Sequence, residues 1–255
     1  MLTAAAGVLV IPGLAWAGSG GTPGSGGAGT GPGSSASAPN VHPGNMTVSA
    51  TSDGITISSG ASAFVRSGVS VTGTVPLSDA GAAVEIDQLP AGAGAGWVPV
   101  AVVHAAPNGA FAASWHTRGA GQMTIRAILQ GNQGGAAASP PSVSVTVYRR
   151  SIATLYGPGF YGDRTACGVI LRRRTIGVAN RTLPCGTEVE VYYRGNVMTV
   201  PVIDRGPYAH NANWDLTMAT GRALGILGTE TIGAASTSAA PSPATNPTQS
   251  APSAQ

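Results

Sequence analysis

The stretch Val200-Pro201-Val202-Ile203-Asp204-Arg205-Gly206-Pro207-Tyr208 is an apolar run that ends in an acid and then breaks on Gly-Pro. The apolar residues read as a buried strand, and Gly206-Pro207 turns the chain sharply out of it. Asp204 therefore emerges at a strand end, where an acid either bonds the amides of the turn or faces a site. A partner run, 187–194, precedes the strand 197–203, and Gly195-Asn196 between them reads as a hairpin turn. Further along, Asp215 stands before a run that is apolar at 216, 219, 223 and 224. This predicts a short amphipathic helix with Asp215 as its N-cap and Gly225 as its stop. With a further strand-like run at 152–156, the block 150–233 reads as a β domain with one helix. It holds seven of the 13 aromatic residues and both cysteines.

Upstream, residues 46–149 have a different character. Seven short alternating runs, at 54–57, 69–75, 83–86, 97–103, 110–115, 123–128 and 142–148, are separated by Gly, Asn and Asp. That is the pattern of a small antiparallel β-sandwich. Pro107-Asn108-Gly109 reads as a hairpin between two of the runs. The block resembles the immunoglobulin-like modules of exported bacterial wall proteins in architecture only, since it lacks the Cys pair and the Trp spacing of antibody domains. His104 and His116 sit on strand-like runs with no acidic or Cys partner nearby, so they read as surface or satisfied strand residues and no metal is expected.

The ends carry no core. Residues 1–17 read as a secretory signal cleaved after Ala15-Trp16-Ala17, although no Lys or Arg precedes the apolar stretch. Residues 18–45 read as a flexible linker: nine of the sixteen residues from Gly18 to Gly33 are Gly. Residues 234–255, without a charge, read as a disordered tail. Across the chain, 57 of 255 residues are Gly or Pro, and all 13 basic residues are Arg, for a net charge of +3. Such sparse charge excludes a nucleic-acid binder held by dense basic patches. It suits an acidic polymer such as cell wall. No apolar run of membrane-spanning length follows the N-terminus.

Four segments of the second block carry a family resemblance. They are Ala153-Thr154-Leu155-Tyr156-Gly157-Pro158-Gly159-Phe160-Tyr161-Gly162, Arg164-Thr165-Ala166-Cys167-Gly168, Arg181-Thr182-Leu183-Pro184-Cys185-Gly186-Thr187, and 202–208 followed by Trp214-Asp215-Leu216-Thr217. In this order they resemble the RlpA family, a double-psi β-barrel related more distantly to expansins, barwin and the MltA lytic transglycosylases. The resemblance implies a six-stranded barrel whose groove binds peptidoglycan glycan strands, with an Asp doing any cleavage.

Lytic transglycosylation needs an acid for the leaving oxygen and a base for the C6 hydroxyl that closes a 1,6-anhydro ring. One carboxyl can serve as both, provided a partly apolar surround keeps it protonated at rest. Asp204 is the candidate. Asp215, eleven residues on, matches a polysaccharide-contacting Asp of the expansin-like relatives. Thr154 and Tyr156 match groove-lining positions; Tyr208 and Trp214 are candidates for stacking on sugar rings, with core packing the default for either. Enzymatic members usually carry a Glu and a His where this chain has Val169 and Asn180. Asn180 can bond a sugar but cannot relay a proton. The relatives with Cys at both matched places resemble a disulfide-bearing version of the barrel, which implies a Cys167–Cys185 bond. The alternatives are a metal pair, which would want further ligands, and a thiol nucleophile, which would want a paired His; His210 is the block's one His.

The reading is an exported all-β protein, an immunoglobulin-like sandwich followed by a six-stranded double-psi barrel with a short helix. It acts on peptidoglycan as a lytic transglycosylase of MurNAc-GlcNAc strands, with no cofactor. The competing class is a non-catalytic, expansin-like wall-loosening module. A third is a secreted defence module or protease inhibitor like barwin, which the Arg-only, Gly/Ala-rich composition disfavours.

Overall fold

The computed structural model describes residues 40–92, 94–131, 139–208 and 211–237. Strands β1 (Val41–Pro43), β2 (Thr47–Ser52), β3 (Ile55–Gly60), β4 (Ser62–Phe64), β5 (Gly68–Thr74), β6 (Ala83–Leu89), β7 (Val98–His104), β8 (Ala110–His116) and β9 (Gly121–Leu129) lead to the long β10 (Ser142–Leu155). After it come β11 (Val178–Ala179), β12 (Glu188–Tyr193), β13 (Asn196–Asp204), β14 (Trp214–Leu216), the helix α1 (Met218–Leu224) and β15 (Glu230–Ser236). Among the described residues no helix is long and apolar enough to cross a membrane.

The first lobe has two sheets. One is β2-β3-β5-β8; the other places β7, β6, β9 and β10 in order, with β4 parallel to β10. Alternation along each strand sends one face inward: Ile55 and Ile57, Val69 and Val71, Ile125 and Ala127, Val143 and Val145 form one buried core. All seven expected runs are strands. The turn at Pro107-Asn108-Gly109 exists, with the Asn108 side chain accepting from Ala110 N–H. It makes no hairpin, however, because β7 and β8 belong to different sheets and the turn carries the chain across the core.

The second lobe is a closed ring of six strands, β10-β14-β11-β13-β12-β15 and back to β10. Pairs β10–β14 and β11–β13 are parallel and the others antiparallel. Its interior is small and branched: Ala153, Val178, Val189, Val191, Val200, Val202, Leu216 and Ile232. The runs expected at 142–148 and 152–156 are one strand, β10, which serves the first lobe with one half and the barrel with the other.

Several boundaries move. The β12–β13 turn is Arg194-Gly195, both at positive φ (47° and 87°), one residue earlier than Gly195-Asn196. The linker expected to reach residue 45 ends sooner, since Val41–Pro43 pairs with β13. The tail expected from Ala234 starts later, because Ala234 and Ala235 pair with β12 and close the barrel. The signal at 1–17, the Gly-rich 18–39 and residues 238–255 lie outside the described residues.

Candidate functional site

One row of the barrel gathers the candidates. Thr154 of β10 pairs with Asp215 of β14, Asp215 with Ala179 of β11, and Ala179 with Asp204 of β13. Two acids thus flank one small residue across three adjacent strands, about two strand spacings (~10 Å of backbone) apart. Asp204 reaches this row through a bulge. Between Val178 and Ala179 of β11 the register on β13 advances from Val202 to Asp204. The extra residue, Ile203, packs with Tyr156, Leu171 and Ala179 in a small cluster distinct from the barrel interior, and the strand is re-aimed.

Asp204 is half-buried and held by three donors. Its Oδ2 accepts from the Tyr156 hydroxyl at 2.8 Å, and Oδ1 accepts from the N–H of Ala166 and of Arg205, each at 2.8 Å. Burial first, and the bond to Asp204 second, push the Tyr156 phenol far above its ordinary range, so it stays a donor. The Arg205 guanidinium turns elsewhere, onto the carbonyls of Leu183 (2.7 Å) and Asn180 (3.4 Å).

Asp215 has a different setting. Thr154 Oγ1 donates to its Oδ1 at 2.9 Å. Burial pushes the Asp215 carboxyl above the usual range, and the nearby Asp204 charge adds to the shift, while the Thr154 bond opposes it. Asp215 does not cap α1. Thr217 does, accepting from Thr220 N–H, because Asp215 is held in β14 and the helix starts only at Met218. Gly225 at φ 77° ends the helix as expected.

A groove of roughly 570 Å³ runs past this row, with Thr154, Tyr156 and Asp215 in its wall and Phe160, Pro207 and Leu227 at its edges. Asp204 is not part of that wall. Phe160 and Leu227 were not singled out from sequence, yet they are 55% and 88% exposed. Their signal, bulky apolar residues in Gly-rich turns, is shared with ordinary loops. Tyr208 is exposed beside Pro207. Trp214 is a correction: with Leu216 it points into the barrel core, 8% exposed, which removes its ring from any sugar. Asn180 is a partial one. Its side-chain oxygen already accepts from the N–H of Thr182 (3.1 Å) and Leu183 (2.9 Å), so it shapes the loop before β12. Val169 packs on the Tyr156 cluster.

Cys167 and Cys185 are disulfide-bonded, with Cα atoms 5.6 Å apart. The bond ties the loop that offers Ala166 N–H to the loop shaped by Asn180. Arg181 secures the other side, donating to the carbonyls of Pro207 and Ala212. His210 lies outside the described residues.

Comparison with known proteins covers the same lobe. A double-psi barrel family model described as "Lytic transglycolase" matches residues 149–235. The chain is 43% identical over 77 residues to the "Probable endolytic peptidoglycan transglycosylase RlpA" of Synechocystis, covering 29% of this chain and 24% of the relative. It is 38% identical over 82 residues to the protein of that name from Aquifex aeolicus, covering 31% and 36%. Against the "Endolytic peptidoglycan transglycosylase RlpA" of Campylobacter jejuni it is 33% identical over 94 residues, covering 36% and 34%. The chain therefore spans between a quarter and just over a third of the length of these relatives. A closed six-stranded ring of this pairing, matched over its whole extent by that family, makes residues 149–235 an RlpA-like double-psi β-barrel.

Proposed function

We propose that this chain is an exported lytic transglycosylase that cleaves MurNAc-GlcNAc strands of peptidoglycan to 1,6-anhydro products. The observation that carries the reading is the row Thr154–Asp215–Ala179–Asp204 beside an open groove. The sequence-based expectation gave both proton transfers to Asp204. The geometry favours dividing them. Asp215 lines the groove and its burial favours the protonated form, which suits protonation of the glycosidic oxygen. As that bond breaks, the C6 hydroxyl of the muramyl residue attacks its own C1 and gives its proton to the groove-lining Tyr156 hydroxyl, which passes its own proton to Asp204 Oδ2. Tyr156 thus both orients Asp204 and connects it to the groove. Exchange with solvent then returns one proton from Asp204 and one to Asp215, and no water enters the product. Phe160, Leu227 and Tyr208 offer apolar surface for sugar rings.

Export from the Ala15-Trp16-Ala17 site and an immunoglobulin-like sandwich over 46–149 belong to the same reading, the latter supported by two sheets sharing one core. A wall-loosening binder without cleavage is the second reading. It is favoured by Val169 and Asn180, neither of which can relay a proton. Incubation with purified sacculi and mass spectrometry of the released products separates the two. Either Asp204→Asn or Asp215→Asn should lower 1,6-anhydro product by about 10²–10⁴-fold, the usual worth of acid–base help, with sacculus binding kept in Asp204→Asn. Undiminished release from either variant removes that residue from the mechanism. Sacculus binding by the wild type without any cleavage hands the case to the binder.

A further inference from the structure

The seam between the two lobes holds a hollow of roughly 360 Å³ that the groove chemistry does not use. Gly233 lets the side chains that wall the hollow pack close to the sheet; it pairs with Arg150 of β10 on one side and Tyr192 of β12 on the other. A Cβ at Gly233 would lie 2.9 Å from Phe64 and Tyr148 and 3.1 Å from Tyr192, closer than packed carbons approach. Two arginines border the hollow. The Arg150 guanidinium lies over the Phe64 ring at 4.4 Å, and that of Arg194 over Tyr193 at 5.0 Å. A guanidinium carries five N–H donors, so the ring contacts, and the bond of Arg194 to Tyr193, leave further donors for an acceptor. Among the described residues neither forms an ion pair. The acid lining the hollow, Glu230, is engaged with Tyr193.

A second hollow, of roughly 500 Å³, is lined by Arg66, His116, Thr117 and Arg118. The same turn serves both hollows. Phe64 borders the first and Arg66 the second, Ser67 N–H donates to Phe64 O, and Arg66 N–H donates to Thr117 O. Four exposed arginines thus border two hollows linked by one turn, in a chain whose net charge is only +3. A ligand with a single charge would occupy one hollow. A chain with repeated charges engages both.

We infer that the seam hollow and the first-lobe hollow beside it form a binding track for an acidic glycopolymer, recognised through repeated phosphodiester or carboxylate groups. This assignment is independent of the reading of the groove. The test is fluorescence anisotropy of the full chain with a labelled glycerol-phosphate oligomer and, separately, an oligogalacturonate of equal charge, between about 20 and 200 mM salt. Affinity for at least one probe should fall as salt rises. Which probe binds identifies the anion, and binding of both supports recognition of charge spacing. Arg150→Ala/Arg194→Ala should weaken binding about tenfold, and Arg66→Ala/Arg118→Ala by a similar factor, from two exposed charge contacts each. Arg172→Ala/Arg174→Ala removes the same charge from an exposed loop that lines neither hollow and should leave affinity within about twofold. Equal loss in that control, no binding of either probe, or equal binding of a single-stranded oligonucleotide of the same charge would overturn the assignment.

Discussion

Burial shifts the Asp215 carboxyl upward, because ionising it in the folded chain carries a cost that the unfolded chain does not bear. Its folded pKa lies above its unfolded one, so the folded state binds the proton more tightly. The corresponding stability is complete below the ordinary carboxylate range and is lost as pH rises through the folded value. Asp215→Asn removes the ionisable group while keeping an oxygen for Thr154. Its Tm should therefore exceed that of the wild type at neutral pH, with the gap closing as the pH drops below the usual carboxylate range. Thermal melts between about pH 3 and 8 check this, and a gap independent of pH would contradict it. Activity should follow the same group, declining as pH rises through the raised value. At Asp204 the corresponding test is Tyr156→Phe. The ring and its contacts with Ile203 and Phe160 stay, but Asp204 loses one of three donors, a change worth about 1–2 kcal/mol in chemical denaturation. Asn180→His, which sequence reasoning suggests as a way to restore a proton relay, also removes the acceptor for two backbone amides. Asn180→Asp keeps that acceptor and should be the more stable of the two variants.

At the scale of elements, what could be read from sequence followed burial of one face. The seven runs of the first lobe alternate because one side of each packs inward, and each is a strand. Strand β2, Thr47-Val48-Ser49-Ala50-Thr51-Ser52, offers only Val48 and Ala50 to the core, too little apolar surface to stand out. Strand β11 has two residues, a single period, so no repeat can show in it. The bulge at Ile203 is invisible to any periodicity, yet it brings Asp204 level with Ala179, so the acid was legible while its aim was not. Trp214 was misplaced for the same reason: its direction is set by β14 pairing with β10 and β11, which lie far away in sequence. The cap was misread because Asp and Thr both suit that position and local preference does not tell where pairing ends. Thr217→Ala should cost about 1–2 kcal/mol, since it removes the cap and its bond to buried Thr220. The disulfide gives a larger effect. Replacing Cys167 and Cys185 with Ser opens a loop of 18 residues and should lower stability by about 3 kcal/mol in guanidinium melts of oxidised protein. An unchanged midpoint would mean that the hydrogen bonds of Ala166 and Arg205 already hold these loops.

Taken whole, the described chain is built so that its two lobes share one strand. The first half of β10 pairs with β9 and β4, and the second half with β15 and β14, so the ladder continues from lobe to lobe. Tyr148 sits at the changeover, 1% exposed, with its ring against Phe64 and Tyr192 at 5.8 and 5.4 Å. Its hydroxyl donates to Glu190 at 2.6 Å, and burial together with that bond pushes the phenol well above its usual range. From the N-terminal side, β1 adds a second tie by pairing Val41 with Met198 of β13. Neither lobe can lose its structure without exposing this seam to water. The chain should therefore unfold in one calorimetric transition, with calorimetric and van't Hoff enthalpies equal within error. Tyr148→Phe keeps the ring and should lower stability by about 1–2 kcal/mol without splitting the transition. Tyr148→Ala removes the ring and leaves Glu190 without its donor. It should cost about 3–5 kcal/mol and separate the melt into two steps, one for each lobe. Two transitions in the wild type would show that the shared strand transmits no cooperativity. A single one in Tyr148→Ala would place the coupling in the backbone ladder of β10 rather than in the aromatic seam.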